Sequence, residues 1–215
     1  MNLQPTAQGI RFGCPVCFMR MNILVGIPTK DKIDIEAAIS IMNLDWDGHV
    51  ITYTHADGMG VYGVAQARNR LVTKALEGDY DKILMIDSDM IVPEDTIHNL
   101  LDPDVPIVTG VTRYKNDSRL SPVFRYTIQN GTDAWKWDDI PRERFDIKSG
   151  GVACAMIDVS LFNRISRPWF VWEERENGSY VGEDIGFYER IRDMGIRPQA
   201  DGRVRCGHIG RKVYE

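Results

Sequence analysis

No run in the sequence is apolar over the ~20 residues that a membrane-spanning helix needs, so no span is expected. An excess of positive charge is also missing. The formal net charge is -5, and Lys and Arg are scattered rather than clustered. That distribution argues against nucleic acid as the main ligand and against a polybasic membrane patch. The first twenty residues lack the apolar core of a secretory signal. Cysteine is scarce as well: Cys14, Cys17, Cys154 and Cys206 are too few for a disulfide framework in 215 residues and read as reduced thiols. These absences together lead to the expectation of a cytoplasmic protein.

What is present is enough for one substantial core. With 43% hydrophobic residues over 215 positions, a single α/β domain is expected. Its regular pattern starts at Asn22, which leaves residues 1–21 as an N-terminal extension and 22–215 as the folded unit. Within the extension, Cys14-Pro-Val-Cys17 has the spacing of half a zinc knuckle. Cys206 and His208 are the available partners; the other reading is an arm with two free thiols.

The chain is organised around Tyr80 to Val92, YDKILMIDSDMIV. Ile83 to Ile86 form the apolar run of a strand buried on both faces, and Asp87 and Asp89 stand at its end. At a spacing of two, an extended backbone points both carboxylates the same way, and a bend at Ser88 could aim them at one hard divalent cation; the other reading is a strand that simply ends in a polar turn. Asn22 to Pro28 reads as an earlier buried strand, with Pro28 and Thr29 leaving its C-terminal end, where α/β sheets bind ligands. Ile35, Ala38, Ile39 and Met42 recur at helical spacing and predict a helix packed through that face. His49 to Thr54 predicts a second strand.

Gly58-Met59-Gly60-Val61-Tyr62-Gly63 matches the G-x-G-x-x-G of dinucleotide-binding folds, where an acidic residue such as Asp87 would answer it. Here, however, a complete strand and helix precede the glycines, which favours a flexible loop over a ligand. Val64 to Leu76 predicts a helix that leads into the strand carrying Asp87 and brings Arg68 near the same crevice, where it could meet a phosphate or a base. Pro93, Glu94 and Asp95 have the composition of a first helical turn. From Tyr114 to Ile147 aromatic residues alternate with charge, as in a small β-rich flap. Glu183 and Asp184 open a further helix, where a carboxylate stays ionised and can accept a proton from a neighbouring alcohol. His208 follows a strand, lies near glycines, and could complete a metal site begun by Asp89.

Six of these pieces carry a resemblance: NILVGIPTKD, the AQARN helix, LMIDSDM, the GGVACAMIDVSLFNRI block with RPWF, VGEDIGFYERIRDMGI and CGHIG. In order and spacing, the chain resembles a compact GT-A-fold glycosyltransferase, similar to glycosyltransferase family 2. The resemblance implies a Rossmann-like nucleotide-diphospho-sugar transferase fold, with a mainly parallel central sheet and a small β-rich flap. It implies nucleotide contacts at Pro28, Thr29, Asp57, Arg68 and Asp87, and Mn²⁺ or Mg²⁺ held by Asp89 and His208 with Asp87 beside them. The donor would be a UDP- or GDP-sugar. Asp184 of the Glu183-Asp184 pair would be the general base on an acceptor hydroxyl, with inversion at the anomeric carbon. The Q-x-x-R-W motif of processive synthases is absent. Two other classes stay open, a dinucleotide-dependent oxidoreductase and a GT-A domain that binds a nucleotide without turnover.

Overall fold

The computed structural model describes residues 20–30, 32–60, 62–115, 119–126 and 132–210. Strand β1 (Asn22–Thr29) leads through helix α1 (Ile35–Met42) to β2 (Val50–Asp57), and helix α2 (Gly63–Glu77) then leads to β3 (Lys82–Ile86). Both β2 and β3 lie parallel to β1, an arrangement that requires a crossover such as a helix between strands. The short strand β4 (Met90–Ile91), helix α3 (Thr96–Leu100) and strand β5 (Ile107–Val111) follow. A separate hairpin, β6 (Leu120–Tyr126) with β7 (Thr132–Lys136), forms the small β-rich layer. Then come β8 (Arg144–Asp146), β9 (Cys154–Asp158), β10 (Glu173–Glu174) and β11 (Tyr180–Val181). Helix α4 (Glu183–Asp193), β12 (Gln199–Arg205) and β13 (Gly207–His208) complete the described fold.

The central sheet has seven strands in the order β2-β1-β3-β9-β5-β12-β8. β9 and β8 run antiparallel to their neighbours, and the other five strands share one direction. Strand β3 shows why the run from Ile83 to Ile86 is apolar. Ile83 and Met85 pack with Leu71, Phe162 and Phe187 on one face, while Leu84 and Ile86 pack with Ile41, Ile97 and Leu100 on the other. Successive strand side chains point to opposite faces, so a strand with helices on both sides has no polar position to spare. Each such side chain contributes roughly 1.5–3 kcal/mol by its burial.

Several local expectations are corrected. Helix α1 packs through Ala37, Ser40 and Ile41, whereas Ile35, Ile39 and Met42 are 70%, 53% and 78% exposed. The physical reason is a polar anchor: the Ser40 hydroxyl donates to the Ala37 carbonyl at 2.9 Å and accepts the Val92 amide at 3.1 Å. That bond rotates the helix away from the stripe read in the sequence. Strands β1 and β2 extend through Thr29 and Asp57, three residues beyond Thr54 in the second case, because the two pair to the end in register. Helix α3 begins at Thr96, after Pro93, Glu94 and Asp95. Cys14 and Cys17 lie outside the described residues. Cys206 is buried and hydrogen-bonded to Cys154, whose thiol is pushed upward in pKa by that bond and by burial.

Candidate active site

The acidic strand end is shaped by backbone bonds. The Asp87 amide donates to the Ala153 carbonyl at 2.9 Å, and the Met90 amide donates to the Asp87 carbonyl at 3.0 Å, closing a turn over Ser88 and Asp89. Strand β13 then pairs antiparallel with β4, with His208 opposite Met90. This short ladder carries a residue 119 positions downstream to the second aspartate: His208 Nε2 lies 3.6 Å from Asp89 Oδ1. His208 Nδ1 is 3.0 Å from the Arg113 carbonyl oxygen. A carbonyl only accepts, so Nδ1 carries the proton, and in the neutral ring Nε2 keeps its lone pair on the side of Asp89. This is the arrangement in which a histidine is oriented to bind a cation.

Asp87 is directed elsewhere. Its two oxygens lie 3.0 and 3.2 Å from Nη2 of Arg68, while Nη1 of the same guanidinium is 2.6 Å from Glu183 Oε1. Arg68 is 3% exposed. Burial works against its charge, but Asp87, Glu183 and Asp184 outweigh that penalty and raise its pKa. One guanidinium thus faces three carboxylates. Burial first, and the neighbouring carboxylates in addition, raise the pKa values of Asp87 and Glu183 against the opposing pull of Arg68. The expected trio of Asp87, Asp89 and His208 is therefore not gathered as one. Asp89 and His208 come together, Asp87 is committed to Arg68, and no group of three or more metal-ligating side chains occurs among the described residues.

At the C-terminal ends of β1 and β2, Pro28 and Thr29 pair in register with Ala56 and Asp57. The Thr29 hydroxyl donates to Asp57 Oδ1 at 2.5 Å, and Arg70 donates to the Asp57 carbonyl at 2.5 Å. The glycine run that follows has a backbone explanation. A Cβ on Gly58 would stand 1.6 Å from the Gly63 carbonyl oxygen, and Gly60 has a φ of +74°. The loop closes on itself, and only glycine permits that approach.

Glu183 and Asp184 separate in character. Glu183 is buried and held by Arg68, whereas Asp184 is partly exposed, and its Oδ1 accepts the Ile185 amide at 2.8 Å. Sequence reasoning missed the cations around Asp89. Lys30, Lys32 and Lys115 line a cleft of ≈ 340 Å³ with Asp34, Ser88, Asp89 and Ile209. Lys115 Nζ is 2.5 Å from Asp89 Oδ2. The signal was available: Lys30 and Lys32 directly follow the first strand, at the sheet edge where ligands bind.

The sequence matches no protein-family model and no curated protein. Solved structures do match. The chain is similar to A197 from STIV, at 19% identity and a TM-score of 0.64, over 89% of this chain and 87% of that one. It is similar to GalNAc-T7, solved with UDP, GalNAc and Mn²⁺, at 12% identity and a TM-score of 0.60; the match covers 90% of this chain and 45% of that one. It is also similar to Drosophila beta1,4-galactosyltransferase 7, solved with manganese, UDP-Gal and xylobiose, at 15% identity and a TM-score of 0.53, over 89% of this chain and 71% of that one. The fold is that of the GT-A glycosyltransferases, with the mainly parallel seven-stranded sheet at its centre.

Proposed function

From a GT-A fold carrying these residues, we propose that the chain is a metal-dependent glycosyltransferase that moves a sugar from a UDP- or GDP-linked donor to an acceptor hydroxyl, with inversion. The observation that carries the reading is the meeting of Asp89 and a correctly oriented His208 beside a lysine-lined cleft. GalNAc-T7 and beta1,4-galactosyltransferase 7, two proteins of the same fold, were solved with manganese and UDP or a UDP-sugar.

The donor set fits a divalent cation. Asp89 offers a carboxylate and His208 a lone-pair nitrogen, and the Lys115 ammonium on Asp89 marks the same place as one that favours positive charge. Asp89 and His208 would hold the ion; the imidazole nitrogen favours Mn²⁺ over the more strictly oxygen-preferring Mg²⁺. A cation bound there neutralises charge on a departing nucleoside diphosphate. Lys30, Lys32 and Lys115 add fixed positive charge to the same cleft. Thr29 and Asp57 are assigned to the nucleoside, at the ends of β1 and β2. Pro28 is assigned to the same wall.

Arg68 fixes the remaining geometry. By holding Glu183 against Asp87, it aligns the first turn of α4 with the acidic strand end and leaves Asp184 as the more accessible carboxylate. Asp184 is assigned as general base, taking the proton of the acceptor hydroxyl as that oxygen attacks the anomeric carbon. Glu183 is a positioning residue. The unlinked thiols of Cys154 and Cys206 suit a reducing compartment, in keeping with a cytoplasmic location. The self-closing Gly58 to Gly63 loop accounts for its glycines without a dinucleotide.

The test is Asp184→Asn in a transfer assay that screens UDP- and GDP-sugars. We expect UDP or GDP binding to be kept and transfer to fall by roughly 10²–10⁴-fold, the range of a lost general base. Unchanged transfer would remove Asp184 from the mechanism, and a wild-type chain that binds the nucleotide but transfers no sugar would favour the silent binding domain.

A further inference from the structure

On the side of the sheet away from β1 and β2, the ends of β5 and β12 bound a second cleft of ≈ 410 Å³. Arg113, Lys115, Trp137, Arg205 and His208 are among its lining residues, and among the described residues no Asp or Glu lines it. Lys115 and His208 face Asp89 on the neighbouring side, so the positive charge that the cleft itself offers is that of Arg113 and Arg205. Its centre is Trp137. The guanidinium carbons of Arg113 and Arg205 lie 4.6 and 4.5 Å from the centroid of that one ring. Like charges gathered on one aromatic ring repel, and the ring face offsets only part of that cost.

The two arginines are used differently. Arg205 donates to the carbonyls of Gly202, Trp137 and Ile140 at 3.2, 3.4 and 3.1 Å, so its N–H groups are spent on the protein while its charge stays. Burial, then Arg142 and Arg113, lower its pKa, with Asp138 as the opposing acidic neighbour. Arg113 is exposed, and among the described residues no carboxylate pairs with it. Its fork is free to meet an anion in the bidentate geometry that guanidinium and phosphate share. His208 and Lys115 line both this cleft and, respectively, the cation site and the lysine-lined cleft, which places the pocket next to the reaction centre on the side away from the nucleoside.

We propose that this cleft binds the phosphate of a phosphorylated acceptor, with Arg113 as the direct contact and Arg205 supplying charge through the Trp137 stack. Calling the ligand an acceptor rests on the glycosyltransferase reading; the anion site itself does not. A pocket of this volume holds a sugar phosphate.

The experiment is calorimetric titration of the full chain, saturated with UDP and Mn²⁺ so that the donor cleft is filled, with glucose 1-phosphate and with glucose. We expect the phosphate ester to bind and the neutral sugar to bind at least roughly tenfold more weakly. Arg113→Glu is expected to weaken the ester by roughly tenfold or more, and Arg113→Lys by less, with UDP binding unchanged. A parallel arm uses vesicles of phosphatidylcholine with and without phosphatidic acid. Arg113-dependent binding to the phosphatidic acid vesicles alone assigns the phosphate to a lipid-borne acceptor; Arg113-dependent binding of the soluble ester assigns it to a soluble one. Ester and sugar binding alike, or equal ester and vesicle binding by the wild type and Arg113→Glu, overturns the proposal. A wild-type chain that ignores UDP but binds the ester through Arg113 defeats the donor reading and leaves the anion site standing.

Discussion

Arg68 and Glu183, separated by 115 positions in the chain, meet in a buried 2.6 Å ion pair that joins helix α2 to the first turn of α4. The other Nη of the same guanidinium binds Asp87, so the strand that ends in the acid pair and the helix that presents Asp184 are held through one cation. The contact also stacks loosely over Phe170, whose ring centroid is 5.9 Å away.

Removing that cation strands the buried carboxylate of Glu183 and the partly buried one of Asp87. Arg68→Met is expected to cost about 3–5 kcal/mol in urea unfolding, the usual penalty for breaking one side of a buried pair. Arg68→Lys keeps the charge without the fork and should lose less stability but still reduce transfer. Equal stability of Arg68→Met and the wild type would show that the clamp is not structural.

Lys115 occupies an oxygen of Asp89 that the cation site also needs. Lys115→Met is therefore expected to tighten Mn²⁺ binding in the absence of nucleotide. It should at the same time weaken UDP or GDP binding in the presence of Mn²⁺ by roughly tenfold, through loss of a charge from the diphosphate cleft. The opposite signs distinguish this account from a general disturbance of the site, which would weaken both.

Asp201 provides a pH signature. It is fully buried on β12, beside Arg203 at 2.6 Å and Arg144 at 3.4 Å. Burial alone would raise its pKa, but the bonds from Arg203 and the charge of Arg144 bring it below the ordinary carboxylate value. A lowered folded-state pKa means that the folded form releases the proton more readily. Its contribution to stability is thus complete above the ordinary value of about 4 and is lost as pH falls through the lowered one. Between about pH 5 and pH 2 the wild type is expected to lose more unfolding free energy than Asp201→Asn. Parallel curves would contradict the assignment.

Helix α1 shows where pattern and packing part. Every turn of IEAAISIM offers an apolar residue, so periodicity alone selects no unique face. The deciding bond, from the Val92 amide to Ser40, crosses 52 positions and leaves no local trace. Ile41→Ala is expected to cost about 2–5 kcal/mol, and Ile39→Lys to stay within about 0.5 kcal/mol, as for a core and a surface site. Reversed magnitudes would restore the stripe formed by Ile35, Ile39 and Met42.

The buried run Ile83 to Ile86 and its acid pair are local features, readable because a strand covered on both faces must be apolar and must end where polar groups begin. The strand before His208 and the glycines around it mark it as a candidate ligand in the sequence, and β13 delivers it to Asp89. Hidden from the sequence were relationships that depend on the sheet order: the turn of Asp87 toward Arg68, the division of labour between Glu183 and Asp184, and the gathering of Lys30 and Lys32 with Lys115. Trp137 is the clearest case. In the sequence it is one aromatic of a charge-interleaved flap, yet the fold sets two arginines over its ring.

The central claim is a cation held between Asp89 and His208 that carries a nucleoside diphosphate. The most direct measurement is calorimetric titration of the purified chain with UDP and GDP, each with Mn²⁺ and then with excess chelator, alongside Asp89→Asn and with NAD as the comparison ligand. Nucleotide binding that requires Mn²⁺ in the wild type, and is lost with chelator or in Asp89→Asn, is the predicted result. Metal-independent binding of NAD, or UDP binding indifferent to both chelation and Asp89→Asn, would contradict it.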